Sequence, residues 1–141
     1  MASPQTADSS YDVTSILLSG WTMTREPDEV AARILGSFTS RPVAAAGDRN
    51  WHAVPTTPGL PIGPPSALLG VKGPVRTPVE YVPGSQGLRM PPDGLDHVVR
   101  RLSPEPGFWV LIDARCWTRF SAGDVSEVSF WQPTFDLEMA R

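Results

Sequence analysis

Residues 42–92 constrain the fold most, because they contain eleven prolines and seven glycines in 51 positions. Proline lacks a backbone N–H and clashes with the preceding helical turn, so no helix of useful length fits here. Only short extended pieces are expected, over residues 51–54, 67–72 and 75–82, and Pro78 would confine the last piece to a sheet edge. The segment is therefore either a disordered linker or a long extended arm.

The apolar side chains of this segment favour the arm over the linker. They are too numerous to remain solvated, as the side chains of an ordinary disordered linker do. We therefore expect a Pro/Gly-rich arm that packs against another surface, and the residues that favour it are Trp51, Leu60, Ile62, Leu68, Leu69, Val71, Tyr81 and Met90.

The N-terminal part, residues 9–41, is expected to be helical after a polar tail over residues 1–8. A first helix starts near Ser9, which forms a capping-box pattern with Asp12, and it ends at Gly20. Its apolar face would contain Val13, Ile16, Leu17 and Trp21. A strand that presents Val13, Ser15 and Leu17 on one face remains the alternative.

A second helix is predicted from Pro27, whose fixed backbone angle suits the first helical position. Asp28 and Glu29 follow at the positive end of the helix dipole. The apolar stripe consists of Val30, Ile34, Leu35 and Phe38, and Pro42 prevents the helix from continuing much beyond residue 40.

A third helix is predicted after Pro92, with Asp93 as its N-cap. Arg100 and Arg101 would lie near its C-terminus, where positive charge suits the dipole, and residues 103–107 would end it. Its apolar stripe would be Leu95, Val98, Val99 and Leu102.

The strongest strand pattern in the chain covers residues 107–120, GFWVLIDARCWTRF. Alternation puts one set of side chains on a core-facing surface: Phe108, Val110, Ile112, Ala114, Cys116, Thr118 and Phe120. The opposite face would present Trp109, Leu111, Asp113, Arg115, Trp117 and Arg119. Residues 121–124 form a turn, residues 125–131 return as the second strand of a hairpin, and the tail FDLEMAR follows Pro133.

These elements predict an α+β fold in a single domain over residues 1–141. Two or three short helices would pack on a small antiparallel sheet, with a C-terminal β-hairpin and a long Pro/Gly-rich arm. Residues 93–141 supply a helix and the hairpin. A chain of this length can bury enough surface for one core without disulfide bonds.

Charge and composition exclude several functional classes. The net charge is −3, and no run of basic residues is longer than Arg100-Arg101, so nucleic-acid binding is not expected. The uncharged run over residues 50–71 contains five prolines, which excludes a membrane helix. Lys72 is the only lysine beside eleven arginines, and this bias is typical of a GC-rich genome, for example of a bacterium, phage or virus.

The same features set the expected location. The N-terminus lacks a basic flank and an apolar stretch, so no signal peptide is expected. Cys116 is the only cysteine and forms no internal disulfide bond. We therefore expect a soluble protein that is cytoplasmic or virion-associated and does not bind membranes.

Residues that could carry chemistry are few. No metal site or cofactor is expected, because His52, His97 and Cys116 are far apart in sequence and Asp93 is explained as a cap. Asp96 and His97 are neighbours that point apart on a helix, so they do not form one site.

A thiol enzyme is the sharpest catalytic hypothesis that the chain permits. His52 would serve as the base for Cys116, with Asp113 or Asp48 orienting it. The WHAV stretch followed by a cysteine resembles the Cys–His pair of papain-like enzymes and acyltransferases. A nucleophilic cysteine usually lies at a helix N-terminus, whereas Cys116 is expected on the apolar face of a strand, where a thiol is inert.

A protein interface is favoured instead. Tryptophan and arginine are enriched in interface hot spots, and the outer face of the long strand would present five candidates: Trp109, Leu111, Arg115, Trp117 and Arg119. The alternative is that the chain's own arm, or the helix over residues 27–40, covers this face.

The function predicted from the sequence is a non-enzymatic interaction protein or structural subunit of a larger assembly, for example a phage or viral structural or connector protein. Its partners would be other protein subunits in a homo- or hetero-oligomer. Two alternatives remain open: a small inhibitor or immunity-type binding protein, and the Cys–His thiol enzyme.

Overall fold

The computed structural model describes residues 13–43, 51–54, 63–86, 88, 99–120 and 125–134. In this part of the chain two helices accompany two antiparallel sheets, which confirms the α+β class. The elements are α1 (13–19), β1 (Trp21–Thr24), α2 (Pro27–Leu35), β2 (Phe38–Pro42), β3 (Leu68–Val75), β4 (Val79–Tyr81), β5 (Arg100–Leu102), β6 (Trp109–Asp113), β7 (Thr118–Arg119) and β8 (Val125–Pro133).

The larger sheet has five strands in the order β1-β6-β3-β8-β2, and the smaller has three in the order β5-β4-β7. All pairings between these strands are antiparallel. At the centre of the larger sheet Val71 of β3 pairs with Val110 on one side and with Val128 on the other. Among the described strands, β1 and β2 are therefore the edges of the large sheet, and β5 and β7 are the edges of the small one.

Two apolar clusters hold three layers together. The first lies between the sheets, and its buried members are Val71, Val79, Tyr81, Leu102, Val110, Ile112, Cys116 and Val128. The second lies between the larger sheet and the helices, and its buried members are Ile16, Val30, Ala31, Leu68, Leu111 and Trp131. Because strands alternate their side chains, the central strands supply residues to both clusters.

The described residues do not show the Pro/Gly-rich arm, because β3 and β4, which both come from residues 42–92, belong to the two sheets. β3 is the central strand of the large sheet, and β4 is the central strand of the small one with all three residues buried. The prediction that Pro78 makes an edge strand is wrong, since β4 begins one residue after it. Pro74 lies where the pairing register shifts between Lys72 and Val75, so the ladder does not need its missing N–H.

The helical character of residues 9–41 is only partly correct. α1 ends where Gly20 adopts a φ of 86° and donates its N–H to the carbonyl of Ile16, as expected. Ile16 is buried, but Leu17 is 52% exposed and Trp21 belongs to β1, so the expected face is not a single stripe. The residues that were to cap α1 lie outside the described part.

The second helix starts at Pro27 as predicted but is shorter than expected. It ends at Leu35, where Gly36 takes a φ of 75°. Phe38 therefore starts β2 instead of extending the helical stripe, although it still packs against the cluster beneath α2. Two strands, β1 and β2, thus lie in a region expected to be helical.

The third predicted helix is contradicted at its C-terminal end, because Arg100–Leu102 forms β5. Its remaining part, with Asp93, Asp96 and His97, lies outside the described residues, as do Asp48 and the polar tail over residues 1–8.

The continuous strand over residues 107–120 is wrong, since the chain turns at residues 114–116 and enters the second sheet. A buried ion pair fixes this turn. Asp113 Oδ1 accepts hydrogen bonds from the backbone N–H and from Nε of Arg115, each at 3.0 Å, and Oδ2 accepts one from Nη2 at 2.8 Å. Gln86 Nε2 donates to the same carboxylate at 3.1 Å, so both oxygens are satisfied.

The expected C-terminal hairpin is also wrong in its partner. β8 pairs with β3 and β2, not with the strand that precedes it in sequence. β3 lies between β6 and β8, because it is apolar on both faces and therefore fits the buried middle of the sheet.

Trp131 links the large sheet to α2. Its indole Nε1 donates to Asp28 Oδ1 at 2.8 Å, and its ring meets that of Trp109 edge-on with centroids 5.6 Å apart. A Cβ at Gly70 would overlap the Trp131 ring, so the glycine provides the space in which the indole lies.

We predict that Gly70→Ala lowers the free energy of unfolding by about 1–3 kcal/mol, because it overpacks a buried site whose ring is held by Asp28. Urea denaturation measures the change. Gly63→Ala is the control, since a Cβ there meets nothing within 4 Å. Equal stabilities of the two variants would contradict this packing.

We predict that Asp113→Ala costs about 3–5 kcal/mol of stability, because it leaves the buried Arg115 guanidinium without its counter-ion. Adding Arg115→Met should recover part of the loss. The control is Glu127→Ala, which removes an exposed carboxylate and should change stability by less than about 0.5 kcal/mol. Urea denaturation measures the losses of stability. Similar losses in Asp113→Ala and Glu127→Ala would refute the role of the ion pair.

Candidate protein-binding groove

A groove of about 500 Å³ lies where an edge of each sheet meets the other, and we call it the edge groove. β1 supplies one wall and β5 with its flanking residues supplies the other. It is lined by Trp21, Met23, Val99, Arg100, Arg101, Leu102 and Ser103. Unpaired sheet edges carry backbone donors and acceptors that can pair with another strand, so the groove is a candidate binding site.

The backbone N–H and C=O of Met23 point away from β6, toward the outer edge of the large sheet. The N–H of Asp113 donates to the carbonyl of Gly20. Because hydrogen-bonded and non-hydrogen-bonded pairs alternate in an antiparallel ladder, this bond determines which residues of β1 direct their backbone groups toward β6. Trp21 and Met23 therefore direct their backbone groups toward the outer edge. The carbonyl of Trp21 already accepts the Ser15 hydroxyl at 2.7 Å, whereas no hydrogen bond within the described ranges uses the outward groups of Met23.

The backbone of Arg101 points outward from the small sheet by the same reasoning. Thr118 exchanges both of its backbone hydrogen bonds with His52, and Val82 donates to Trp117. The alternation of pairs then directs the N–H and C=O of Glu80 toward β7. Arg101, which lies opposite Glu80 on the other side of β4, is therefore in a non-hydrogen-bonded pair and directs its own N–H and C=O away from β4. Within the described residues, both walls of the groove thus have outward backbone groups, at Met23 on β1 and at Arg101 on β5.

The side chains of the groove combine an apolar floor with positive charge. Trp21, Met23 and Leu102 pack against the cluster between the sheets, so the groove opens onto the core. Arg100 and Arg101 are exposed, and the lining contains no acidic residue. The site therefore suits a ligand with apolar side chains on one face and carboxylates on the other.

Arg100 lies on the core side of β5, close to Tyr81. Burial raises the pKa of Tyr81 to about 12, and the positive charge of Arg100 opposes this effect. The Tyr81 hydroxyl donates to the carbonyl of Ser19 at 2.9 Å, which ties α1 to β4 near the groove.

The outer face of the small sheet fixes β5 in place. The buried Glu80 carboxylate lies 3.8 Å from Nε of Arg101 and 3.3 Å from Nε of Arg119. The guanidinium of Arg119 also stacks 4.4 Å from the ring centroid of Trp51. These contacts join all three strands and orient Arg101 at the rim of the groove.

The five residues predicted as an interface do not form one face. Trp109 and Leu111 belong to β6, Arg115 lies in the turn, and Trp117 and Arg119 lie in or beside β7. The turn separates them because it ends the alternation on which the prediction depended.

Burial also separates these five residues. Leu111 is fully buried against the helices, and Arg115 is 8% exposed and paired with Asp113. Trp117 donates its indole N–H to the carbonyl of Leu88 at 3.1 Å. An interface role for the half-buried members, Trp109, Trp117 and Arg119, stays a prediction.

The proposed Cys–His pair is not supported by its geometry. The thiol of Cys116 is buried in the core, while His52 is exposed and joins β7 through its backbone. Burial and, to a lesser extent, the charge of Asp113 raise the pKa of the Cys116 thiol, hydrogen bonding with Ser85 lowers it, and together these effects raise the pKa to about 11. Asp113 is occupied by Arg115 and does not orient a base.

The edge groove itself was missed by the sequence reasoning. The signal for β1 was available, because residues 21–24 read W-T-M-T, an alternation of apolar and polar residues directly after Gly20. For β5 no comparable signal exists, since Arg100–Leu102 is three residues long and equally suits a helix end.

Comparisons with known proteins add no assignment. No protein-family model matches the chain, and no curated protein gives a match. Among the described residues, no three His, Cys, Asp or Glu side chains are grouped so that they could hold a metal ion. No helix in the same residues has the length and apolar character that crossing a membrane requires.

We predict that Cys116 reacts slowly with iodoacetamide in the folded protein. A thiol pKa of about 11 instead of 9.0 leaves about a hundredfold less thiolate near neutral pH. The control is the same protein in urea, where labelling should reach the rate of an exposed thiol. Comparable rates in the two states, followed by mass spectrometry, would contradict the buried thiol and revive the thiol-enzyme hypothesis.

Proposed function

We propose that this protein is a non-enzymatic assembly subunit that binds a second copy of itself through the edge groove. The proposal agrees with the interaction role expected from the sequence and moves the interface from the Trp109–Arg119 region to the groove between β1 and β5. An extended segment of the second copy would enter the groove as an added strand.

The observation that carries the proposal is the pair of sheet edges that face one groove. Met23 and Arg101 each direct a backbone N–H and C=O toward it, as derived from the hydrogen bonds of their neighbours. A strand between them would extend both sheets at once and would cover Trp21, Met23 and Leu102, which are apolar.

Charge favours another copy of this chain as the occupant. The groove lining has two arginines and no acidic residue, whereas the whole chain has fifteen acidic residues against twelve basic ones. Opposite charges steer and orient association more than they strengthen it, so the arginines would select the register of the added strand. A role in a phage or viral particle stays an expectation from composition.

We expect the solution mass to rise above that of the 15.3 kDa monomer as the protein concentration increases over a hundredfold range. Light scattering after size exclusion measures it. A monomer at every concentration would contradict the proposed function and would favour the inhibitor-type alternative, which requires a different target.

Two substitutions in the groove should weaken this association by about tenfold or more. Met23→Pro removes the outward N–H of β1, and Arg100→Glu reverses a charge in the lining. If only Met23→Pro weakens the association, the backbone edge of β1 carries the binding. If neither variant weakens it, the groove is not the binding site.

Each substitution has a matched control. Ser40→Pro places a proline at an outward, exposed position of β2, the opposite edge of the same sheet. Arg33→Glu makes the same charge change at an exposed position of α2. Neither control should change the solution mass.

A further inference from the structure

The chain contains a segment whose pattern complements the edge groove. Residues 135–139 read F-D-L-E-M, so Phe135, Leu137 and Met139 alternate with Asp136 and Glu138. In an extended strand this alternation places three apolar side chains on one face and two carboxylates on the other. The segment follows β8 directly and lies outside the described residues.

We propose that residues 135–139 of one copy are the strand that fills the edge groove of a second copy. This inference rests on the proposed function, which it deepens by naming the segment that binds. The apolar face of the segment would cover Trp21 and Met23 of the groove floor, where the core opens to the surface. The carboxylates of Asp136 and Glu138 would lie on the opposite face, on the side of β5 where Arg101 lies beside Glu80, and the exposed Arg100 would lie next to the apolar face.

The backbone supports the same arrangement. The outward groups of Met23 and of Arg101 require partners that are spaced along an extended chain. Residues 135–139 contain no proline, so every residue of the segment has an N–H to donate. Main-chain hydrogen bonds would supply affinity, and the alternating side chains would supply specificity.

The position of β8 shows why a second copy is needed. A strand added to the outer side of β1 would lie four inter-strand steps from β8, because β3, β6 and β1 lie between the two. At about 4.8 Å for each step the separation is about 19 Å. Phe135 lies next to Thr134, with Cα atoms about 3.8 Å apart, and therefore cannot enter the groove of its own copy.

The geometry also determines how assembly proceeds. The donor segment and the acceptor groove are different parts of the surface, so contacts are head-to-tail unless two copies exchange their segments reciprocally. Reciprocal exchange gives a closed dimer, and one-way donation gives growth with concentration. Both are self-association that depends on residues 135–139.

The first test removes the segment. Deletion of residues 135–141 should leave a monomer at every concentration while the urea midpoint stays close to that of the full chain, because the cut lies beyond β8. A fluorescein-labelled peptide of residues 134–140 should then bind the shortened chain. The matched control peptide carries Asp136→Lys and Glu138→Lys, and it should bind at least about tenfold more weakly.

The second test separates donor from acceptor. A full chain with Met23→Pro has the segment but a damaged groove, and the shortened chain has the groove but no segment. Each alone should be monomeric, and an equimolar mixture should form a 1:1 complex by light scattering.

The outcomes distinguish the two proposals. If the shortened chain still associates and Met23→Pro blocks that association, the groove binds another segment, so the inference is wrong while the proposed function stands. If the full chain is monomeric, the proposed function fails. If the full chain associates but neither the peptide nor the mixture binds, residues 135–139 are not the occupant.

Discussion

The buried ion pair between Asp113 and Arg115 is the interaction on which this architecture depends. It closes the turn that ends β6 and sends the chain into the smaller sheet as β7. Had the strand continued, as its alternation suggests, one long strand would have belonged to a single sheet. The two sheets instead pack over a shared apolar cluster, and β1 and β5 are left as edges beside the same groove. The candidate site is thus a consequence of the turn.

The other side of the large sheet is closed by the helices. Trp131 occupies the space above Gly70 and holds α2 through Asp28, while Ile16 brings α1 onto the same cluster. Ser15 of α1 also occupies the outward carbonyl of Trp21, so the helix covers the start of β1 and leaves Met23 uncovered. Among the described residues, the unpaired part of β1 is therefore short, and short edges limit uncontrolled pairing between sheets.

The sequence predicted those features that depend on local chemistry. Pro27 marks the start of α2, Gly20 the end of α1, and the class is α+β. Pairing partners were not predictable, because β3 and β8 are joined through contacts far apart in sequence and the hydrophobic pattern does not specify a neighbour. The turn at Asp113 was not predicted from the sequence. The Asp113 carboxylate accepts a hydrogen bond from the backbone N–H of Arg115, two residues later, and two residues is also the repeat of an alternating strand. The same residues therefore fit either structure. The described prolines Pro42, Pro74 and Pro78 misled because each lies where the ladder requires no N–H: at an outward position of β2, at the register shift of β3 and just before β4.

The central claim is that the edges at Met23 and Arg101 receive a strand. Amide hydrogen exchange, followed by NMR at increasing protein concentration, tests it most directly. The account predicts that the amides of Met23 and Arg101 become protected together as association proceeds, while that of Ser40 on the opposite edge of the large sheet does not change. Association without any protection at Met23 and Arg101 would contradict the account.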